Sequence, residues 1–403
     1  MTGMSKPGTI RNRFTPRFTT QAWVLAGVVF ICRLGAMVKL FMAIYLNISL
    51  GLSIEIIGLM LSCYGAGLVA GSYLAGVASD HWAARWLILT LILSSAAMLF
   101  ALPQLEDLIA ITVVLVASGA FDGGIRTLHQ RLILDFCATQ DRDRSQALSR
   151  VGINLGMACA GLIGGLLSDW DIRGLFYVSA CLLAIAASVF AFSSRGWKPV
   201  GPTLIKNPTP NSEAGSSPYK NSQFLFFLVG CWLMALAYEP IYSTLGNYLI
   251  EYYRLTPAAI GWQFALNGLL VVTLQIPITG WTSAWGVRNQ LLGGGALLGV
   301  GLALIPYGSG VAYLSACTVL WTLGELLFMP AMGIHVMQTA EGIRSGHYFG
   351  LYSLSWSAGT LLSPSLASQV YGRFGGDTLW LMCCALAMAG MALMGIAFKT
   401  RPT

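Results

Sequence analysis

Long apolar stretches, each close to the length of a membrane-spanning helix, recur along the whole chain. About 20 predominantly apolar residues are needed for an α-helix to cross the hydrocarbon core of a bilayer. The stretches are continuous rather than alternating, which excludes the pattern of a membrane β-barrel. They predict twelve spans, at 20–46, 54–77, 86–103, 108–134, 146–168, 174–194, 223–250, 257–282, 289–307, 311–337, 347–370 and 378–398.

The longest polar interruption, residues 195–222, divides the twelve spans into two groups of six. Its proline, glycine and serine content is typical of a flexible linker. We therefore expect an amino-terminal six-helix bundle over residues 1–194 and a carboxy-terminal six-helix bundle over residues 223–403.

A weak internal repeat relates the two halves. Gly76–Ser79 follows the second span and Gly280–Ser283 follows the eighth, 204 residues later. Asp122 and Glu325, each inside an apolar span, lie 203 residues apart. The repeat predicts an all-α membrane protein of two pseudo-symmetric bundles with a site between them near mid-membrane.

Composition and charge support this interpretation. Of 403 residues, 56% are apolar and only 10% are charged, whereas soluble domains carry about 25% charged residues. The net charge of +7 does not indicate a nucleic-acid partner, because most lysines and arginines fall in loops on the side of the two termini. That bias predicts cytoplasmic termini and makes the lipid bilayer the large-scale partner.

Six charged side chains nevertheless lie deep inside apolar spans, and only in the first span of every three. A charge at the bilayer centre costs about 3 kcal/mol or more, so it is expected to face a partner or a wet cavity. These spans therefore predict one central pathway, as in a transporter. The residues are Arg33 and Lys39 in the first span, Asp122 and Arg126 in the fourth, Glu239 in the seventh and Glu325 in the tenth.

The first half thus holds three cations and one anion, and the second half holds two anions. In one interpretation, these charges pair across the cavity and hold the halves together. In the other, Arg33, Lys39 and Arg126 bind an anionic group of the substrate. A carboxylate would then exchange a proton as its surroundings change. The candidate carboxylates are Asp122, Glu325 and Glu239.

Aromatic residues near these charges suit an organic substrate, although most membrane aromatics only pack or lie at interfaces. Tyr238 and Tyr242 flank Glu239, and Trp321 precedes Glu325 by four residues. Phe121 and Trp356 lie at similar depth. His129 is a candidate proton relay or an ordinary interfacial residue.

The segment that begins at Gly76 and contains Asp80 and Arg85 resembles the signature loop of the major facilitator superfamily. Ala83 stands where that loop has its second glycine. The resemblance implies that Gly76, Asp80 and Arg85 belong to a gate that holds one conformation closed. A carboxylate is stabilised near a helix amino terminus, which gives that role a physical basis.

Two further segments resemble bacterial drug:proton antiporters and siderophore exporters of that superfamily. The fifth span carries a glycine-rich run, Gly156–Gly165, with Gly161 where the antiporters have a proline. The tenth span contains Gly324-Glu325 followed by Pro330. The resemblance implies a monomer in the bacterial inner membrane that uses the proton gradient and needs no cofactor.

We therefore expect a proton-coupled exporter of a small anionic or carboxylate-bearing metabolite, siderophore-like in class. The alternatives are a broad multidrug exporter, which usually needs few fixed cations, and a proton-coupled importer. An enzyme or a metal protein is not expected, because the four histidines are scattered without ligand spacing. A sensor is not expected either, since no loop is long enough for an output domain.

Overall fold

The computed structural model describes residues 18–138, 141–198, 218–340 and 345–398. Most of the predicted linker, 195–222, lies outside these ranges, as do the basic residues before position 18. The all-α prediction is confirmed, with helices at all twelve predicted spans of the described chain. The helices are α1 (Thr20–Gly35), α2 (Val38–Ile48), α3 (Ile54–His81), α4 (Ala84–Ala101), α5 (Leu108–Phe136), α6 (Arg142–Trp170), α7 (Gly174–Ser193), α8 (Ser222–Tyr238), α9 (Pro240–Ser243), α10 (Leu245–Glu251), α11 (Pro257–Thr282), α12 (Gly286–Ala303), α13 (Gly310–Thr339), α14 (Ser345–Phe374) and α15 (Gly376–Ala397).

Side chains with an acceptor oxygen fix the starts of several helices. Asp107 accepts a hydrogen bond from the Ala110 amide at 2.8 Å at the start of α5, and Asn221 accepts one from Phe224 at 3.1 Å at the start of α8. Each of these bonds satisfies a backbone donor that has no partner within the helix. The helix starts are therefore encoded locally.

The first span of each half is broken near its middle. The first consists of α1 and α2, which meet at Ala36–Met37, and the seventh consists of α8, α9 and α10, with a break at Pro240. Ala36 and Pro240 are 204 residues apart, the same offset as the sequence repeat. Proline removes a backbone donor, which explains the second break, whereas α13 continues through Pro330. Paired breaks of this kind in transporter folds mark the binding region.

The repeat also recurs in detail at the ends of α3 and α11. The Ser79 hydroxyl donates to the Gly76 carbonyl oxygen at 2.7 Å, and the Ser283 hydroxyl donates to the Gly280 carbonyl oxygen at 2.7 Å. The same side chain therefore closes the same turn in both halves.

The halves meet most extensively where α6 packs on α11 and where α3 packs on α14. Ten segments of the described chain are long and apolar enough to cross a membrane, and one of them, Pro257–Tyr307, contains both α11 and α12. The helix α14 is not among them. Its polar groups bond to neighbouring helices. The Ser363 hydroxyl donates to the Leu236 carbonyl oxygen of α8 at 2.9 Å, and the Ser365 amide donates to the Ser62 hydroxyl of α3 at 3.0 Å.

Glycines allow the closest approaches between the halves. A Cβ on Gly261 of α11 would collide with the Gly161 carbonyl oxygen of α6, and a Cβ on Gly58 of α3 would collide with Ser368 of α14. These positions lie in the parts of the helices that are remote from the chain termini. The short α10 also packs there against α2. The structure is therefore a conformation closed on the side opposite the termini.

A bulky residue at this contact should destabilise the closed arrangement. We expect Gly261→Val to lower the free energy of unfolding by about 2 kcal/mol, because overpacking two touching backbones forces the helices apart. Gly280→Val on the same helix is the matched control, since a Cβ there meets nothing within 4 Å. Thermal unfolding of the purified variants tests this. Equal melting temperatures for both would contradict the close-packing argument.

Candidate substrate cavity

A cavity of about 780 Å³ lies between the two halves. Both halves contribute charged and aromatic side chains to its wall, as expected for a site that holds an organic molecule. The sequence predicted that the first, fourth, seventh and tenth spans line one pathway. The first, fourth and seventh do so, whereas the described lining includes α14 and no residue of α13. The polar lining comprises Arg33, Lys39, Tyr64, Asp122, Arg126, Gln130, Glu239, Tyr242, Trp356 and Thr360, among others.

Asp122 is the centre of an ion cluster in the amino-terminal half. Within the described chain its carboxylate contacts three cations: Arg33 Nη1 at 3.4 Å, Arg126 Nη2 at 2.9 Å, and Lys39 Nζ. The Tyr64 hydroxyl donates to the same carboxylate at 3.2 Å. The pairs lie inside one half rather than across the cavity. One carboxylate among three cations leaves a net charge of +2.

Local structure explains why these side chains meet. Asp122 and Arg126 are one turn apart on α5, hence on one face. Arg33 lies in the last turn of α1 and Lys39 in the first turn of α2. Because the span is broken between these helices, the two side chains start from separate helices. The side chains of Arg33 and Asp122 are 11% and 13% exposed, whereas Lys39 is 31% and Arg126 48% exposed. Arg126 is therefore the most accessible cation of the cluster.

Glu239 lies in the other half, at the break before Pro240. It accepts a hydrogen bond from the Thr360 hydroxyl of α14 at 2.9 Å. No ion pair within 4.0 Å is found for Glu239 among the described residues. The cavity thus holds a cationic cluster on one wall and an acid with a neutral partner on the other.

Glu325 does not belong to the described cavity lining. It accepts a hydrogen bond from Asn267 Nδ2 at 2.9 Å. Tyr238 is buried and its hydroxyl lies 3.0 Å from that of Tyr242, which does line the cavity. Trp321 is 1% exposed and lies outside the lining, so its role as a substrate contact stays a prediction.

The predicted gate lies where α3 meets α4. Asp80 is 64% exposed and Arg131 Nη1 of α5 lies 3.6 Å from it, within the same half. Arg85 lies over the Trp86 ring at 5.2 Å, and a Cβ on Gly76 would meet only Thr127. In this conformation the described contacts of Asp80 stay within its own half, and the gating role stays a prediction.

His129, considered from sequence as a proton relay, is buried between α5 and α6. Its Nε2 lies 3.1 Å from the Ser149 hydroxyl. A hydrogen bond to a neighbouring helix is also what a packing histidine makes, so the relay stays a prediction.

Sequence reasoning missed three uncharged partners of the intramembrane carboxylates. These are Tyr64 on Asp122, Thr360 on Glu239 and Asn267 on Glu325. A signal existed for Asn267, which is an amide in the middle of an apolar span. Tyrosine and threonine are ordinary residues in membrane helices, so the other two gave no comparable signal.

The two six-span halves and the charged cavity between them define a multi-pass membrane transporter. The family model of the Major Facilitator Superfamily matches residues 25–248 and 227–403. The chain therefore belongs to the major facilitator superfamily.

Relatives and solved structures agree with this assignment. An uncharacterised MFS-type transporter of Bacillus subtilis, YqjV, is 21% identical over 378 residues, which cover 93% of this chain and 91% of YqjV. Multidrug resistance protein MdtH of Cronobacter sakazakii is 24% identical over 71% of this chain and 70% of its own. The nucleoside transporter NupG superposes with a TM-score of 0.77 at 15% identity, covering 95% of this chain and 100% of NupG. A peptide transporter POT in complex with sulfate gives a TM-score of 0.76 at 17% identity, covering 94% of each chain.

Removal of the central anion should destabilise the ion cluster. We expect Asp122→Asn to lower the free energy of unfolding by about 2 kcal/mol, less than for a fully buried pair because water reaches Lys39 and Arg126. Adding Arg33→Gln to Asp122→Asn restores the original net charge of the cluster. The double variant should therefore recover part of the lost stability. Thermal unfolding in detergent measures both effects. A single variant as stable as the parent would show that the cluster does not need its anion.

Proposed function

We propose that this transporter is a proton-coupled exporter of a small organic anion, a carboxylate-bearing metabolite of siderophore-like class. The halves would rock about the cavity and expose it to each side of the membrane in turn. The proposal depends chiefly on the net charge of +2 of the Asp122 cluster in the cavity wall. Glu239 of the opposite wall makes no ion pair with this cluster in the described chain, so an anionic ligand in the cavity would neutralise the cationic excess of that wall.

The cluster is suited to bind an anion without losing its own order. Arg33 is held at 3.4 Å by Asp122 and is almost covered, whereas Arg126 is about half exposed. Guanidinium groups bind carboxylates with two parallel hydrogen bonds. We infer that Arg126 and Lys39 make the first contact with the anionic group, and that Arg33 positions Asp122. Tyr242 and Trp356 offer aromatic surface for the rest of the substrate.

The carboxylates divide into two kinds. Asp122 is neutralised by ion pairs in this conformation, whereas Glu239 and Glu325 have neutral hydrogen-bond partners. An acid without a fixed counter-ion changes its protonation when its access to water changes. We therefore favour Glu325 and Glu239 over Asp122 as the proton carriers.

Export rather than import is supported by similarity to relatives called multidrug resistance proteins and by the exporter-like motifs of the fifth and tenth spans. A broad multidrug exporter is the second candidate, favoured by the aromatic and largely apolar cavity wall. It would accept neutral and cationic compounds, whereas the cluster predicts a preference for anions. We further propose that the protein is a monomer of the bacterial inner membrane with cytoplasmic termini.

Direction and substrate are tested together by untargeted mass spectrometry of cells and spent medium, with and without the gene. We expect an acidic metabolite to accumulate inside and to disappear outside on deletion, because its exit route is lost. When the deletion strain is complemented with the Arg126→Gln or Lys39→Gln variant, we expect export to be at least about tenfold lower than with the parent gene. Each substitution removes a contact to the anionic group. The Arg173→Gln variant, exposed at the start of α7 and outside the described cavity lining, is the control. Accumulation of the compound in the medium on deletion would instead identify an importer.

Proton coupling is tested with that compound in proteoliposomes under an imposed pH gradient. Glu325→Gln is expected to abolish gradient-driven accumulation while leaving exchange of the compound intact, since a neutral amide carries no proton. Glu239→Gln should reduce accumulation as well, whereas Tyr313→Phe should not. Undiminished accumulation by both glutamine variants would exclude these residues as proton carriers.

A further inference from the structure

The cavity has a second charged wall, to which an anion alone offers no partner. Glu239 lines the cavity from the carboxy-terminal half, whereas Arg33, Lys39, Arg126 and Asp122 line it from the amino-terminal half. Glu239 makes no ion pair within 4.0 Å in the part of the chain that the structure describes. Its carboxylate and the cations of the opposite wall therefore share one cavity without pairing directly.

One oxygen of Glu239 is available to a ligand. The Thr360 hydroxyl donates to Oε1 at 2.9 Å, whereas Oε2 receives no hydrogen bond from the described residues. The side chain is half-buried rather than covered. An ionised carboxylate has acceptor sites on both oxygens, so Oε2 can accept a hydrogen bond from a donor group in the cavity.

Aromatic rings accompany this acid in the cavity wall. The Tyr242 amide donates to the Glu239 carbonyl oxygen at 2.9 Å, which places Tyr242 one turn beyond the acid. Trp356 precedes Thr360 by four residues on α14, hence on the same face. Both rings line the cavity. Aromatic faces attract ammonium groups, so a carboxylate oxygen beside two rings is suited to bind a protonated amine.

The charges of the lining indicate what kind of molecule fits both walls. The described lining holds three cations, Arg33, Lys39 and Arg126, and two anions, Asp122 and Glu239, which leaves a net charge of +1. A plain carboxylate would satisfy the cations but leave the Glu239 charge without a partner in the closed cavity. A molecule with two carboxylates and one protonated amine carries a charge of −1, and it offers a partner to each wall.

We propose that the substrate is amphoteric: its carboxylates bind Arg126 and Lys39, and a protonated amine binds Glu239 between Tyr242 and Trp356. This inference rests on the proposed export of an organic anion and narrows its substrate class. It assigns Glu239 to the substrate and leaves Glu325, outside the described lining, as the proton carrier.

Chemical tagging tests the substrate class before the compound is identified. Extracts of cells with and without the gene are treated with formaldehyde and cyanoborohydride, which methylate amines. A second portion is treated with acidic methanol, which esterifies carboxyl groups. We expect the compound that accumulates in the deletion strain to gain mass in both reactions, as measured by mass spectrometry.

The outcomes separate this inference from the function on which it rests. A compound that gains mass only in acidic methanol would overturn the amphoteric substrate and leave the export of an organic anion standing. A compound without a carboxyl group, or no accumulation on deletion, would contradict the proposed function itself, and the inference with it. This measurement needs no variant protein, so it does not depend on whether a substitution folds.

The role of Glu239 is tested by binding of the compound purified from the deletion strain and of its N-acetyl derivative, which has lost the positive charge. We expect the parent protein in detergent to bind the free amine at least about tenfold more tightly, because a charge-assisted hydrogen bond is lost on acetylation. Glu239→Gln should bind both compounds about equally. Arg126→Gln should weaken both alike, since both keep their carboxylates.

Two comparisons distinguish a lost charge from a damaged fold. Glu239→Gln keeps an oxygen that accepts from Thr360, and its affinity for the N-acetyl derivative should equal that of the parent. Glu106→Gln makes the same chemical change at an exposed residue outside the described lining, and it should keep the parent preference for the amine. If Glu239→Gln also kept that preference, the acetyl group would be excluded by its size, and Glu239 would not be the amine-binding residue.

Discussion

Charge placed inside a membrane-spanning bundle is the constraint on which this structure depends, because hydrocarbon offers it no solvation. The amino-terminal half satisfies the constraint by gathering Arg33, Lys39 and Arg126 around Asp122 and adding the Tyr64 hydroxyl. The break between α1 and α2 gives the two basic residues of the first span separate approaches to one carboxylate. The remaining positive charge faces the cavity, and in the proposed function it binds the anionic group of the substrate.

The carboxy-terminal half satisfies the same constraint differently. Glu239 and Glu325 are bonded by a threonine and an asparagine rather than by cations. The fold is thus close to symmetric, as the matched helix breaks and the matched Ser79 and Ser283 bonds indicate, but its chemistry is not. A cation cluster lies on one wall of the cavity, and the acids with neutral partners, Glu239 and Glu325, lie in the other half. In the proposed function this arrangement separates anion binding from proton exchange. Coupling between them would then act through the cavity that both halves share.

Movement of the halves depends on backbone contact rather than on side-chain chemistry. Gly161 and Gly261, and Gly58 with its neighbours on α14, bring helices of opposite halves together on the side remote from the termini. Small residues allow close approach in membranes, where no hydrophobic effect drives helices together. Such contacts separate and re-form with few polar groups to re-pair, chiefly the Ser62 hydroxyl and the Ser365 amide between α3 and α14.

The sequence by itself determined the twelve spans, the two halves and the six intramembrane charges. Apolar length is a local property set by the thickness of the bilayer, and a charge within it is conspicuous at any position. Only the tertiary structure decided which charges meet and which acids take neutral partners. It also placed Glu325 outside the described cavity lining. Those outcomes depend on side chains such as Tyr64 and Thr360, which lie 58 and 121 residues from the acids they bind. Neither residue type is unusual in an apolar span, so the packing of distant helices had to supply the information.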